Sequence, residues 1–287
     1  MIIQQINWGL WNQMFQYTFI KALSLKNQID FKLDISWFDN YFRPFELESF
    51  NIERKYIKKN QIPFYLNLYS KNKYLNFLLN KIKLFFKIFD KNYYKEKQFN
   101  FDSSFLNIKS WYIEWYFQTE KYFIDFKKEI KKDLTFKTQP LERNKNIIKI
   151  IKSCNSISVH IRRWDYINNK LYFTCNTDYY KKAINLIKEK IKNPIFFFFS
   201  DDIQWVKNNF KIKENVYYID WNSWKNNYED MRLMSLCKHN IIANSSFSWW
   251  GAWLNNNKKK KVIAPKKWFN SKKINYSDIV PDNWIKI

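Results

Sequence analysis

The chain has 287 residues, of which 46% are hydrophobic, and a formal net charge of +24. Its length fits one large domain or two of ordinary size, and so basic a balance favours anionic partners: nucleic acid, a lipid surface or a phosphorylated substrate. AT-rich codons alone would also explain much of the lysine. Three widely spaced cysteines argue against a disulfide framework and fit a reducing, cytoplasmic compartment. With only two histidines, a histidine-built metal site is not expected. We also expect no metal and no cofactor.

Hydropathy and glycine content are equally informative. The N-terminus has no charged n-region and no run of about 18 apolar residues occurs, so we expect neither a signal peptide nor a membrane anchor. Glycine occurs 2 times, where average usage predicts roughly 20, and tryptophan occurs 14 times. So little glycine is implausible for a folded chain, because many turns need a positive φ.

The N-terminal segment predicts a strand, a turn and a helix. The strand is IIQQIN, and the helix is expected at about Asn12–Lys26, where apolar residues follow the 3.6-residue period. The turn holds Gly9 between Trp8 and Trp11, although turns of this kind are normally rich in glycine. A second strand at Ile29–Asp34 completes a β-turn-α-β unit.

A helical stripe of apolar residues follows in a lysine-rich region, from Leu75 to Phe89. We interpret it as a core-facing helix with a solvated lysine face. The alternative is a basic amphipathic helix that rests on an anionic membrane.

A polar stretch with Pro140 predicts a linker between an N-terminal domain at 1–140 and a C-terminal domain at 146–287. Beyond it strands alternate with helices, the strands being Ser156–Arg162, Ile195–Ser200, Val216–Asp220 and Ile241–Asn244. This alternation predicts an α/β fold with a parallel, doubly wound sheet, in which ligands bind at the carboxyl ends of the strands.

The segment HIRRWDY places Arg162 and Arg163 at such a strand end. Their planar guanidinium groups match phosphate oxygens, so the pair suits a diphosphate, and the alternative is two solvated surface charges. Asp165 could orient an arginine or act as a base. His160, taken alone, is more typical of a structural strand residue.

Five further polar residues lie at strand ends or helix starts. Ser245 and Ser246 could bind phosphate at a helix N-terminus or simply cap that helix. Asp201 and Asp202 could hold ribose hydroxyls or cap a helix. Asp230 could bind a ligand, although its favourable position in the helix dipole would also explain it.

Several segments together carry a family resemblance: NWGLWNQMFQYT, EWYFQTEKYF, HIRRWDY, YEDMRLMSLCKHNIIANSSFSWWGAWLN and APKKWF. They resemble the α-1,2-fucosyltransferase family, whose members use GDP-fucose and carry GGLGNQMFQYA, a GYFQ segment and HIRRGDY. The resemblance spans the chain except about Trp37–Phe105. It implies a GT-B-like fold: two Rossmann-like domains facing a cleft, the N-terminal one on the acceptor side and the C-terminal one binding GDP-fucose.

The resemblance also implies an inverting, metal-independent transfer of fucose to the 2-hydroxyl of a terminal galactose on a glycan. Arg162 and Arg163 would then face the diphosphate, and Asp165 would be the base or would orient Arg163. The remaining donor-side residues would be His160 and Asp230 at the guanine, Ser245 and Ser246 at the phosphates, and Asp202 and Phe247 beside them. Asn12, with a catalytic role, and Gln13, with a donor-binding role, would reach the cleft from the N-terminal turn.

Departures from the family pattern fall into one class, because tryptophan stands where the family has glycine. The positions are Trp8, Trp11, Trp115, Trp164 and Trp224. Replacement by a single residue type suggests the hypothesis that UGA encodes glycine in the source organism and was read as tryptophan. Genuine tryptophans at these positions would obstruct the donor site.

Two other readings of the sequence stay open. One is a fucosyltransferase of another linkage, since the arginine pair recurs in α-1,6 and protein O-fucosyltransferases. The other is a basic, non-catalytic binding protein, either for nucleic acid or for a membrane surface. We expect no nucleic acid partner, and peripheral contact with the inner face of the membrane through the basic surface stays open.

Overall fold

The computed structural model describes residues 1–68, 72–210, 215–222 and 226–287. The chain divides into two compact units, Met1–Thr135 and Phe136–Ile287. Each unit has its own parallel sheet. Across these ranges, no helix combines the length and the apolar character needed to cross a bilayer.

The first unit begins with the predicted β-turn-α-β arrangement. In chain order its elements are β1 (Ile2–Gln5), α1 (Leu10–Asn27), β2 (Phe31–Asp34), α2 (Lys73–Phe89), β3 (Tyr93–Lys95), β4 (Trp111–Glu114) and α3 (Lys127–Asp133). The strand order is β2-β1-β4-β3. Most of α1 is buried, including the apolar residues whose period predicted it, so this helix packs along its length within the unit.

The prediction that α2 is a core-facing helix is wrong. None of its residues is buried, and Leu84, Ile88 and Phe89 are among its exposed side chains. The 3.6-residue period identified the helix correctly. Periodicity alone, however, does not say whether an apolar face is covered by the rest of the chain.

The second unit alternates strands and helices as predicted. Its elements are α4 (Glu142–Ser153), β5 (Asn155–Ile161), α5 (Trp164–Ile167), α6 (Thr177–Lys190), β6 (Pro194–Ser200), α7 (Ile203–Asn209), β7 (Val216–Ile219), α8 (Asn227–Leu236), β8 (His239–Ile241), α9 (Ser246–Leu254), β9 (Val262–Ala264) and β10 (Ile285–Lys286). The run of phenylalanines in β6 is fully buried at Phe196–Phe199, as expected for a strand covered on both faces.

The strand order of this second sheet is β7-β6-β5-β8-β9-β10. Counted along the chain, this is the 3-2-1-4-5-6 order of a Rossmann fold. The order reverses between β5 and β8, which makes the carboxyl ends of these two strands the topological switch point. In open α/β sheets ligands bind at that point.

Candidate active site

Three strands of the second sheet end side by side at the switch point. β5 lies between β6 and β8, all three run parallel, and Ile161 of β5 is in register with Ser200 of β6. The segments that follow these strands therefore leave from one edge of the sheet. They carry the arginine pair, Asp201 and Asp202, and the serines before α9, so the fold gathers these predicted residues at one edge.

Arg162, the first arginine of the pair, is held by two carboxylates. Its Nε and Nη2 donate to the two carboxylate oxygens of Asp165 at 2.8 and 2.9 Å, and its Nε lies 3.2 Å from Asp201 Oδ2. Asp165 thus pairs with Arg162, whereas the sequence had suggested that it could orient Arg163. Only the carboxylate side of this pair is open to solvent, because the Asp165 side chain is 59% exposed and that of Arg162 20%. This carboxylate can therefore give way to another anion.

Arg163 is positioned by the residues after β6. Its backbone N–H donates to Asp201 Oδ1 at 2.9 Å, and its Nε lies 3.1 Å from Asp202 Oδ2. Its guanidinium carbon lies 3.6 Å from the ring centre of Trp205, a cation–π contact. Asp202 also accepts a hydrogen bond from the Trp205 N–H at 3.2 Å and caps α7. Asp202 is therefore both a helix cap and a support for Arg163, and Trp205 is a site residue that the sequence did not single out.

Opposite charges nearly balance at this edge. Two guanidinium groups, of Arg162 and Arg163, lie among the carboxylates of Asp165, Asp201 and Asp202. Burial raises the pKa of Asp201, although the charge of Arg162 opposes the shift. Within the described ranges, no group of three or more His, Cys, Asp or Glu side chains is arranged to hold a metal ion.

His160 places a buried imidazole on β5, two residues before the first arginine. Its ring centre lies 5.4 Å from that of Phe247, and its Nδ1 has no hydrogen-bond partner among the described residues. Burial, reinforced by the charge of Arg162, lowers the pKa of His160 to about 3, so the imidazole is neutral near pH 7. A buried polar atom without a partner costs about 1–3 kcal/mol, which a hydrogen-bonding ligand would recover.

Ser245 and Ser246 form the start of α9. In the part of the chain that the structure describes, the Ser245 side chain makes no capping hydrogen bond, so serine capping does not account for this residue. The loop is fixed instead by Asn244, whose Nδ2 donates to the Trp268 carbonyl at 2.9 Å. The Tyr166 hydroxyl donates to the Asn244 carbonyl at 3.1 Å, which ties this loop to α5. The first N–H groups of α9, at the positive end of the helix dipole, suit a phosphate.

Asp230, near the start of α8, belongs to a polar network that the sequence did not reveal. Asn222 donates to Asp230 Oδ1 at 2.7 Å, and Asn144 donates to Asn222 at 3.1 Å and to Glu229 at 2.9 Å. Glu229 is fully buried and pairs with Arg232 at 3.0 Å. Burial raises the pKa of Asp230 to about 7, with the Asn222 hydrogen bond opposing the shift and the Glu229 charge adding to it. If Asp230 only interacted with the positive end of the helix dipole, its pKa would be lowered instead of raised.

Two predicted residues of the first unit have structural contacts. Gln13 is fully buried, its Nε2 donates to the Trp8 carbonyl at 2.8 Å, and its Oε1 accepts from the Glu46 N–H at 2.9 Å. It therefore holds the N-terminal turn, in contrast to the expected reach toward the donor. Asn12 Oδ1 accepts from Gln118 Nε2 at 2.8 Å. This contact joins the N-terminal turn to the YFQ segment, two parts of the chain that carry the family resemblance.

Three tryptophans adopt a backbone conformation that favours glycine. Among the described residues six non-glycine residues have a positive φ, and half of them are Trp8 at 63°, Trp111 at 104° and Trp115 at 123°. Because tryptophan makes up only 14 of the 287 residues, three tryptophans among these six positions are far more than chance predicts. Trp8 and Trp115 are positions where the family resemblance predicts glycine. Trp111 is not one of the five family glycine positions, and only its positive φ in the structure identifies it.

The remaining tryptophans at family glycine positions behave differently. Trp11 and Trp164 lie in the first turns of α1 and α5 and are not among the residues with positive φ, and Trp164 is 70% exposed. Trp224 lies outside the described residues. A Cβ at Gly9 would meet Arg43 Nη1 at 2.5 Å and the Trp11 ring at 3.2 Å, so a larger residue there would displace the flexible end of Arg43.

The fold is α/β and GT-B-like, with a parallel sheet in each unit, which confirms the predicted fold class. A variant of FUT1 from Arabidopsis thaliana, solved in complex with GDP, matches with a TM-score of 0.51 and 10% identity, over 91% of this chain and 69% of that chain.

The model of Glycosyl transferase family 11 matches residues 3–287, and the chain belongs to this family. An alpha-1,2-colitosyltransferase from Escherichia coli is 34% identical, over 100% of this chain and 98% of its own length. The O-antigen biosynthesis glycosyltransferase WbnK from Escherichia coli is also 34% identical, over 97% and 98% of the two chains. The protein is therefore a glycosyltransferase, and the family resemblance seen in its sequence is confirmed.

Proposed function

We propose that this glycosyltransferase moves L-fucose from GDP-fucose to the 2-hydroxyl of a terminal galactose on a glycan, with inversion and without a metal ion. The observation that carries the proposal is the pair Arg162 and Arg163 at the switch point, on the same sheet edge as the start of α9. Two adjacent guanidinium groups and the N-terminus of a helix are complementary to a diphosphate.

The proposed chemistry depends on charge that develops on the leaving group. As the bond from the anomeric carbon to the diphosphate oxygen breaks, negative charge grows on the diphosphate and positive charge on the sugar ring. Arg163, already oriented by Asp202 and Trp205, would stabilise that negative charge without reorganising. Arg162 would exchange its exposed partner Asp165 for a phosphate oxygen.

The acceptor hydroxyl needs a base, and Asp165 is the proposed one. Its carboxylate is exposed and lies at the arginine pair. Once the diphosphate replaces it at Arg162, it would be free to accept a proton from the incoming hydroxyl. In the first unit, Asn12 and Gln13 would act through the N-terminal turn, which Gln13 holds in place and Asn12 joins to Gln118.

The guanine would be read by His160 and Asp230, with Phe247 nearby. The unpartnered Nδ1 of His160 and the carboxylate of Asp230 offer hydrogen bonds to the base edge. Ser245 and Ser246 would bind phosphate through the start of α9. Asp202, proposed from the sequence to hold ribose, would instead act through Arg163.

A second candidate donor is a colitosyl nucleotide, because a full-length relative at 34% identity is a colitosyltransferase. Colitose is L-fucose without its 3-hydroxyl. A site that hydrogen-bonds a hydroxyl rejects the deoxy analogue by about 10⁴-fold or more, whereas an apolar pocket discriminates only weakly. The two donors are therefore distinguishable by their relative kcat/KM.

The test is turnover with GDP-fucose and with the matching colitosyl nucleotide, using a panel of β-galactosides. It should be run on the chain as written and on a variant with glycine at the five family positions. We expect GDP to raise the melting temperature of the glycine variant, and GDP-fucose to be the better donor. A glycine variant that is folded, binds GDP and turns over only the colitosyl donor would overturn the fucosyl assignment. Absence of any GDP effect on a folded variant would overturn the donor class.

A further inference from the structure

Helix α2 presents an apolar face that no described residue of its own unit covers. None of its residues is buried, and its aromatic side chains Tyr74, Phe77, Phe85 and Phe89 are 74%, 56%, 57% and 67% exposed. Monomeric soluble proteins rarely expose contiguous apolar surface of this kind without a partner.

The two faces of α2 are inverted relative to those of an ordinary surface helix. The half-buried positions that recur every three or four residues are Asn76, Leu79, Lys83, Phe86 and Lys87. On this side Phe86 stacks on Tyr65 with ring centres 5.5 Å apart, and Lys87 pairs with Glu114. The protein side of α2 thus holds two of its lysines, while most of its apolar side chains point outward. An ordinary surface helix does the opposite.

The charge around α2 indicates what covers this face. From Arg54 to Phe89 the sequence has nine Lys or Arg residues and no Asp or Glu. Lys73 and Lys81 are exposed on the helix itself. A second copy, joined by two-fold symmetry, would bring this positive segment against itself. An anionic lipid surface instead accepts both the aromatic side chains and the lysines.

We infer that α2 docks this enzyme onto an anionic lipid surface. The helix would lie in the plane of the interface, with Phe77, Phe85 and Ile88 at the headgroup–acyl boundary and with Lys73 and Lys81 among the anionic headgroups. This inference is independent of the sugar donor, because it rests on the first unit alone.

The test is cosedimentation of the full chain with vesicles of phosphatidylcholine alone and with vesicles in which about a third of the lipid is phosphatidylglycerol. We expect binding to the anionic vesicles only, weakened by salt. Phe85→Ser with Ile88→Ser should reduce binding at least about tenfold. Lys73→Gln with Lys81→Gln should reduce it about 25-fold, or about fivefold per lysine.

A matched control is Leu171→Ser with Lys109→Gln, which changes an exposed leucine and an exposed lysine outside α2. It should bind within about twofold of the parent. All variants should keep the parent melting temperature, because none of the changed side chains is buried. Equal binding to neutral vesicles, or no binding to either type, would overturn the inference. So would an α2-dependent dimer in sedimentation velocity without lipid.

Discussion

Trp115 offers the sharpest test of the glycine hypothesis, because the strain of its backbone conformation should lower the free energy of unfolding. Its φ is 123°, a region that is essentially limited to glycine and that costs other residues about 1–3 kcal/mol. Its indole Nε1 is buried and has no hydrogen-bond partner among the described residues. The ring does contact Lys95, whose Nζ lies 4.5 Å from the ring centre.

The informative comparison is Trp115→Gly against Trp115→Ala. Both changes delete the ring, so both lose the Lys95 contact and the unsatisfied indole. The two variants then differ only in backbone freedom. At an ordinary position alanine is the more stable by about 0.5–1 kcal/mol, whereas at this φ we expect glycine to be the more stable by about 1–2 kcal/mol.

Trp164 supplies the control, because it is also a family glycine position but lies in the first turn of α5 and is not among the residues with positive φ. There alanine should match or exceed glycine. The assay is urea denaturation with midpoints compared within one transition, since a chain of two units need not unfold in a single step. Alanine equal to or better than glycine at 115, or the same preference at both positions, would refute the strain argument.

The site yields three further predictions, all made in the variant with glycine at the family positions. Arg163→Ala should lower kcat by about 10²–10³-fold, because a preorganised positive charge is lost, and near-parent kcat would remove Arg163 from the chemistry. Asp165→Asn should lower kcat by about 10²-fold or more while GDP affinity is kept, and a change confined to KM would instead make Asp165 a partner of Arg162 only. Asp230→Asn should stabilise the chain increasingly from pH 4 to pH 8. The raised pKa of Asp230 means that the folded state binds a proton there which the unfolded state has released, so parent stability falls as pH rises to about 7. After solvent screening, Asp230→Asn should raise the free energy of unfolding by on the order of 2 kcal/mol at the upper end of this pH range. Equal urea midpoints for parent and variant at every pH from 4 to 8 would contradict the interpretation of Asp230 as a buried carboxylate.

Much of the second unit was predictable because its strands are buried runs that alternate with amphipathic helices. The Phe196–Phe199 run marked a strand covered on both faces, and the arginine pair fell at a strand end as expected. The order of the strands was not predictable, since several doubly wound orders share the same alternation. The switch point between β5 and β8 therefore came only from the structure.

The partners of the site residues were less accessible from sequence. The Arg162–Asp165 pair is a contact between residues three apart in sequence, so the partner of Arg162 was close at hand in the HIRRWDY segment. The contacts of Arg163 with Asp201 and Asp202 depend on the register of β5 with β6, which no local pattern contains. Likewise α2 had a clear period, but its exposure depended on what the rest of the chain left uncovered.

The most direct test of the central claim is the linkage of the product. The glycine variant is incubated with GDP-fucose and a β-galactoside, and the product is analysed by NMR. We expect a single new fucosyl residue, α-linked to O2 of galactose, and its loss in Arg163→Ala. Fucose on another hydroxyl, or no transfer by a folded protein that binds GDP, would contradict it.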